Sequence, residues 1–253
     1  MRLTAPALMI ASCAVAVAGC REVPLDAVTI DPGTLSSDLV AHWAFDQTTG
    51  TAVGDSSGNH HDGVLTGGSW VVDGRFGGAL RLTAGDHVTV AGFPQATASW
   101  TVSVWLRASA ADLAASTSDL ATVISAETQY SGGWQINLDN RADQQRFLAA
   151  YWPGAAGNDY VRVYCSCVQA DRWVHLTAVW DVERATVSLY RDEQRVGQAR
   201  MPSPISPGDA TLYMGTWNQL NRFFVGDVDD FAIWRRALQP IEIATLSREP
   251  PGT

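Results

Sequence analysis

The stretch WVHLTAVWDVERATVSLYRDEQRVGQA, Trp173 to Ala199, decides the fold class of this chain. WVHLTAVWD and TVSLYRD are rich in β-branched and aromatic residues. The second continues through Asp192-Glu193 into a polar run, the signature of a hairpin. Apolar residues here alternate or run continuously, without the three- to four-residue spacing of a helix. Working outward, LVAHWAF, ALRL, HVTV, WTVSVWLRA, ATVISA, WQINL, FLAAYW, YVRVY, TLYMG and FFVGDVDDFAIW repeat the pattern between clusters of Gly, Asp, Asn and Pro. That makes about a dozen strands at sandwich spacing. Helical periodicity enters only at LQPIEIATLSR, where Pro240 opens a short helix carrying Ile241, Ile243, Ala244 and Leu246. No internal repeat and no βαβ alternation is visible. The fold class is therefore all-β, two packed antiparallel sheets with one short C-terminal helix.

The N-terminus is organised differently. MRLTAPALMIASCAVAVAGC has one arginine, an apolar run broken by Pro6 and Ser12, and small residues up to Cys20. It reads as a signal peptide, too short and too weakly apolar at its ends for a membrane span. Val17-Ala18-Gly19-Cys20 resembles the lipobox of bacterial lipoproteins, which implies cleavage before Cys20 and its lipidation. Ordinary secretion with an incidental cysteine is the alternative. Several acyl chains on one cysteine anchor stably where a single chain does not. Arg21 in place of aspartate points to the outer membrane. The expected organisation is a signal peptide at 1–19, a lipidated tether at 20–38, one domain at 39–248 and a tail at 249–253. The full chain carries a net charge of −9, and loss of residues 1–19 removes only Arg2 from the charged set. So acidic a surface argues against nucleic acid as a partner. All seventeen basic residues are arginine.

Two cysteines remain after processing, Cys165 and Cys167 in YCSC. In a regular strand their Cα atoms would stand roughly 6.6 Å apart, the far edge of disulfide geometry. A local disulfide in a bent hairpin is the leading expectation, then two unbridged thiols, then a metal.

The stretch GDVDDFAIWRRALQP, Gly226 to Pro240, crowds Asp227, Asp229 and Asp230 into a strand with large apolar side chains. In a regular strand Asp229 shares a face with Phe231 and Ile233, and Asp230 shares one with Val228, Ala232 and Trp234. At least one carboxylate then faces the packed interior, where an unpaired charge is costly. A cation, backbone N–H groups of the Asp55–Gly63 loop, or Arg235 and Arg236 could offset that cost.

LVAHWAFDQTTGTAVGDSSGNHHDGVL, GRFGGALRL, SWTVSVWLRAS, DRWVHLTAVWDVERATVSLYRD and GDVDDFAIWRRALQPIEIATL stand in the order found in laminin-G-like jelly-roll domains of the concanavalin A-like lectin and glucanase superfold. The resemblance spans about Leu39 to Leu246 and implies a jelly-roll sandwich. It fixes no function, because this superfold hosts lectins, hydrolases, adhesion modules and inert spacers. Where the family has Asp-Gly at the hairpin turn this chain has Asp192-Glu193, so a longer or differently shaped turn is expected. By the same resemblance one structural calcium would draw ligands from Asp46, from the DSSGNHHDG loop through Asn59, and from Asp229 or Asp230. Hard oxygen donors from three segments suit calcium.

Enzymatic chemistry is not expected. Glucanases of the superfold resemble one another in a strand bearing Glu-x-Asp-x-x-Glu. Among Glu22, Glu127, Glu183, Glu193, Glu242 and Glu249 no two have that spacing. Of the five histidines, His42 and His175 fall in strands as structural residues, and His60-His61 lie in an exposed loop. Of the ten tryptophans, Trp43, Trp100, Trp105, Trp173, Trp180 and Trp234 read as core, whereas Trp134, Trp152 and Trp217 have loop-like surroundings. Aromatic planes beside amides bind sugar rings by stacking and directed hydrogen bonds. Tyr151, Trp152, Tyr160, Trp217, Asn218, Asn221 and Arg222 form the candidate patch. The alternative is that the loops tuck these aromatics inward. The expectation is a lipid-anchored domain at the bacterial envelope that recognises a glycan or a cell-surface protein. A spacer module without ligand comes second, and a divergent glycoside hydrolase third.

Overall fold

The computed structural model describes residues 32–116, 120–128, 132–139, 146–151, 161–208, 210–218 and 220–251. Alternating strands that bury one side chain in two must cover each other's apolar faces, and here two eight-stranded sheets do so. The first runs β14 (Gln194–Arg200), β13 (Thr186–Arg191), β12 (Val174–Asp181), β7 (Trp100–Arg107), β16 (Gly226–Trp234), β5 (Ala79–Leu82), β4 (Ser69–Val71), with β1 (Leu39–Trp43) also paired to β16. The second runs β11 (Val161–Cys165), β10 (Arg146–Tyr151), β9 (Gly133–Asp139), β8 (Leu120–Glu127), β15 (Leu212–Met214), β6 (His87–Val90), β3 (Gly63–Thr66), β2 (Ala52–Val53). All the strand pairs are antiparallel.

Tryptophans join the two sheets. Trp134, expected in a loop, projects inward from β9 and lies 6.3 Å from Trp100 and 5.6 Å from Trp180, ring centre to ring centre. A second apolar cluster lies on the outer face of the first sheet, where Leu35, Leu238, Ile243 and Leu246 cover Val179, Tyr190, Ala232 and Trp234. That cover explains why Trp234 is buried although it points away from the sandwich interior.

Among the described residues there are three short helices, not one: α1 (Pro32–Ser36), α2 (Ala110–Ala115) and α3 (Pro240–Leu246). In α3, Pro240 occupies the first turn, and Glu242 accepts the Gln239 N–H at 2.7 Å. Arg236 forks onto both oxygens of Glu242, at 2.7 and 2.8 Å, and also donates to the Thr34 and Ser37 carbonyls. Trp234 Nε1 donates to the Leu35 carbonyl at 2.7 Å. Residues 32–38, assigned to the tether by sequence, are thus fastened to the domain.

Three local geometries depart from regular strands. β16 is bulged: Asp229 pairs with Trp105 and Ala232 with Ser103, so one residue is extra, and Asp230 sits there at φ 43°. Val228, Phe231 and Ile233 therefore all face the core, which corrects the regular-alternation reading of the acids. The β13–β14 hairpin closes over two residues, with Asp192 at φ 55° and a bulge beyond Leu189, so the turn is not lengthened. Finally, the chain bends after β11 and Cys165 and Cys167 form a disulfide across a Cα separation of 5.2 Å.

Candidate functional site

Each acid on β16 has a distinct set of partners. Asp227 takes Arg107 Nε at 2.8 Å and Arg81 Nη1 at 3.3 Å. Arg81 continues onto both oxygens of Asp112, which joins α2 to the sheet. Asp229 is fully buried. Its Oδ2 accepts the Arg75 and Phe76 N–H groups at 2.7 and 3.0 Å, and its Oδ1 accepts the Asp230 N–H at 2.8 Å. Burial pushes Asp229 up to about 7, against the Phe76 and Arg75 N–H groups and with the help of the Asp230 charge. The loop that approaches it requires glycine: a Cβ at Gly74 would lie 1.8 Å from the Gly78 carbonyl oxygen and 2.9 Å from Asp229 Oδ2.

The loop N–H groups that satisfy Asp229 therefore come from residues 75–76, not from Asp55–Gly63. The latter loop is organised by its own Asp55, whose carboxylate accepts the N–H groups of His42, Ser57 and His61, each at 2.9 Å. Burial alone would raise Asp55; these donors hold it below the usual carboxylate range. Neither Arg235 nor Arg236 pairs with the β16 acids; Arg236 is committed to Glu242.

Asp230 Oδ1 meets His42 Nε2 at 2.8 Å, and its Oδ2 is buried with no partner among the described residues. Burial raises its pKa, His42 opposes the rise, and the Asp46 carboxylate adds to it. Of the four residues expected to hold calcium, three already have partners elsewhere. Asp46 Oδ1 accepts the Gly78 N–H at 2.7 Å. Asp229 is saturated by N–H groups, and Asn59 Nδ2 donates to the Leu39 and Val40 carbonyls at 2.9 and 3.0 Å. Asp46 and Asp230 fit a hard cation in part, since Asp230 brings an oxygen that no donor among the described residues satisfies. Among the described residues no group of three or more His, Cys, Asp and Glu side chains could hold a metal ion.

Above these acids the outer face of the first sheet carries a stack of unlike rings. The Arg75 guanidinium lies 4.5 Å from the Trp105 ring, and the His175 ring stacks on Trp105 at 4.9 Å. His175 Nε2 meets Ser103 Oγ at 2.7 Å. Both strand histidines are buried, His42 against Asp230 and His175 against Ser103.

The aromatic patch is only partly assembled. Tyr151 is fully buried in the sandwich core, and burial pushes its hydroxyl up to about 12; it offers no platform to a ligand, which corrects its assignment. Strand alternation from Trp134 and Ile136, its inward neighbours across β9, turns it inside. Trp152 and Tyr160 lie outside the described residues. Trp217, Asn218, Asn221 and Arg222 share the segment that follows β15, and of these Arg222 meets Trp217. Trp217 is 4% exposed, with the Arg222 guanidinium 4.2 Å above its ring. Asn218 Nδ2 donates to the Glu127 carbonyl at 2.8 Å, Arg222 accepts the Thr122 N–H at 2.8 Å through its carbonyl, and Asn221 is exposed.

That segment lies against a polar surface the sequence reading passed over. On the outer face of the second sheet, β8 presents Thr122, Ser125 and Glu127, and β9 presents Gln135, Asn137 and Asp139. All six are buried, with Ser125 opposite Gln135 and Thr122 opposite Asn137. Thr122 Oγ1 donates to Asn137 Oδ1 at 2.7 Å. Ser125 Oγ, Gln135 Oε1, Asn137 Nδ2 and Asn218 Oδ1 are buried with no partner among the described residues. A buried polar atom without a partner costs about 1–3 kcal/mol, so four on one surface concentrate an unmet demand for hydrogen bonds there. The available signal was the alternation of amides in WQINLD on a central strand.

The same surface bears on hydrolysis. Glu127 lies opposite Gly133, and Asp139 lies six residues further along β9. At about 3.3 Å per residue the two carboxylates are roughly 20 Å apart, whereas glycosidase pairs work at about 5–10 Å.

Two antiparallel sheets in this order, closed by β16 against β1, define a jelly-roll sandwich. A family model described as Laminin_G_3, of the concanavalin A-like lectin/glucanases superfamily, matches residues 82–244, and the chain belongs to that family. The binding domain of Paraclostridial Mosquitocidal Protein 1 is similar in structure, with a TM-score of 0.65 at 18% identity over 84% of this chain and 52% of that one. The ligand binding domain of botulinum neurotoxin serotype D, solved with N-acetylneuraminic acid, gives 0.63 at 15% identity over 85% and 52%. Domain 4 of AbnA, a GH43 extracellular arabinanase from Geobacillus stearothermophilus solved with arabinotriose, gives 0.58 at 20% identity over 83% and 98%. The chain thus spans about half the length of the toxin domains and nearly all of the arabinanase domain. Among curated protein sequences no relative matches.

Proposed function

We propose that this domain recognises a saccharide through the outer face of β8 and β9 beside Trp217, without performing chemistry on it. The observation that carries this reading is the set of partnerless buried groups on that surface: a hydroxyl, an amide nitrogen and two amide oxygens. Sugar hydroxyls donate and accept in similar numbers, so one ligand can satisfy all three kinds of group. The exposed Leu220-Asn221 rim gives access beside Arg222. Arabinotriose on the arabinanase domain and N-acetylneuraminic acid on the toxin domain agree with a saccharide as the ligand class. Glycan-array screening of the full chain against its Gln135→Leu variant tests this. The variant should lose the signal, and a wild-type chain that binds no glycan would leave a spacer or a protein-binding module.

The partnerless Asp230 oxygen favours a second element, a structural calcium held by Asp46 and Asp230 with carbonyl oxygens. It would act on stability, so the melting point should rise in calcium and fall in chelator; no change in either would remove it. Envelope anchoring through Cys20 is part of the same proposal. Intact mass of the envelope-purified protein should show acyl chains, and Cys20→Ala should release the domain.

A further inference from the structure

We propose a second, separate binding site for a carboxylate-bearing sugar on the outer face of the first sheet, on the opposite side of the sandwich from the face described above. A cavity of about 270 Å³ opens there over β12, β13 and β14. Its floor follows from strand register: Ser188 lies opposite Gln198, and Tyr190 opposite Arg195. Tyr190 is largely buried in the cluster under α3 and supplies an apolar base. The rim is rich in donors. Gln198 Nε2 donates to Ser188 Oγ at 3.2 Å, which leaves its second amide hydrogen and its carbonyl oxygen open.

The charge balance selects the ligand. Asp181 is the one carboxylate among the described lining residues, and it is committed to Arg184: Oδ1 takes the Arg184 N–H at 2.9 Å and Oδ2 takes Nη1 at 2.8 Å. Arg195 is exposed, and beyond its backbone pairing with β13 its guanidinium has no ion pair or hydrogen bond among the described residues. A spare guanidinium fork beside an amide, a hydroxyl and a phenol ring fits a ring that carries one carboxylate, such as a uronic acid unit. A polyanion is disfavoured by the net charge of −9, whereas a single small anion is not. The volume suits one or two sugar rings more than a larger ligand.

The experiment titrates the full chain at low salt, observed by NMR, with methyl glucuronide, with methyl glucoside and with acetate. The two glycosides share a ring and differ in the carboxylate; acetate carries the carboxylate alone. Glucuronide should bind saturably and at least tenfold more tightly than either. Arg195→Gln, at an exposed position, should weaken glucuronide at least tenfold with an unchanged melting point, and Gln135→Leu should leave it intact. Equal affinity for glucuronide and glucoside, acetate as effective as glucuronide, or indifference to Arg195→Gln would each overturn the proposal.

Discussion

His175 makes the stability of this domain depend on pH in a direction the structure fixes. Its ring is fully buried between Trp105 and Ser103, and burial holds its pKa down at about 3, with the Asp192 backbone opposing and the Arg75 charge assisting. The unfolded chain carries an ordinary histidine near about 6.5. The folded-state value is therefore depressed, and below about pH 6.5 the unfolded chain takes up a proton that the folded chain refuses. Stability contributed by the neutral ring is complete above that pH and is lost as pH falls, at about 1.4 kcal/mol per pH unit down to about pH 3. Between pH 7.5 and 5.0 the loss amounts to about 2 kcal/mol. The perturbation is His175→Gln, which keeps a group able to reach Ser103 and removes the titration. Urea unfolding followed by tryptophan fluorescence at the two pH values gives four free energies, and the difference of differences cancels every other titrating group. Wild type should lose about 2 kcal/mol more than the variant. Parallel pH profiles for the two proteins would refute the buried neutral histidine.

Other residues give further tests. Asp229→Ala leaves three N–H groups without an acceptor in a buried place and should cost about 3–5 kcal/mol, read as a fall in the urea midpoint; Asp229→Asn, which keeps one acceptor oxygen, should cost less. Arg236→Ala strands buried Glu242 and frees α1, so the stability loss should reach about 3 kcal/mol, and limited proteolysis should then cut near residue 36. The Cys165–Cys167 disulfide closes no long loop, so the effect of its reduction on unfolding free energy should stay within about 1–2 kcal/mol.

What the sequence showed and what it hid divide along physical lines. The sandwich was legible because strand alternation is a property of consecutive residues: WVHLTAVWD and TVSLYRD became β12 and β13. The bulge at Asp230 was not, since it depends on one residue adopting φ 43° under tertiary constraint. The whole reading of the acids turned on it. That Asp229 is met by residues 75–76 was equally hidden, because the partner lies more than 150 positions away. Glycine and tryptophan neighbours made Trp134 look like a loop residue, yet it sits at the start of β9 and spans the core. Tyr151 misled in the opposite sense: an aromatic beside Trp-Pro-Gly reads as surface, while its position on β10 turns it inward. The polar outer row of β8 and β9 was passed over because alternate polar residues normally mean a solvated face. Only burial distinguishes Gln135 and Asn137 from that ordinary case.

The most direct test of a ligand-binding face is to measure affinity and stability together on Gln135→Leu. If Gln135 serves a saccharide, removing its partnerless oxygen should leave the ligand-free domain as stable as wild type or more so, while affinity for the array-selected glycan falls at least tenfold. A variant that loses stability and keeps its affinity would contradict the account, and would make this polar row part of the fold alone.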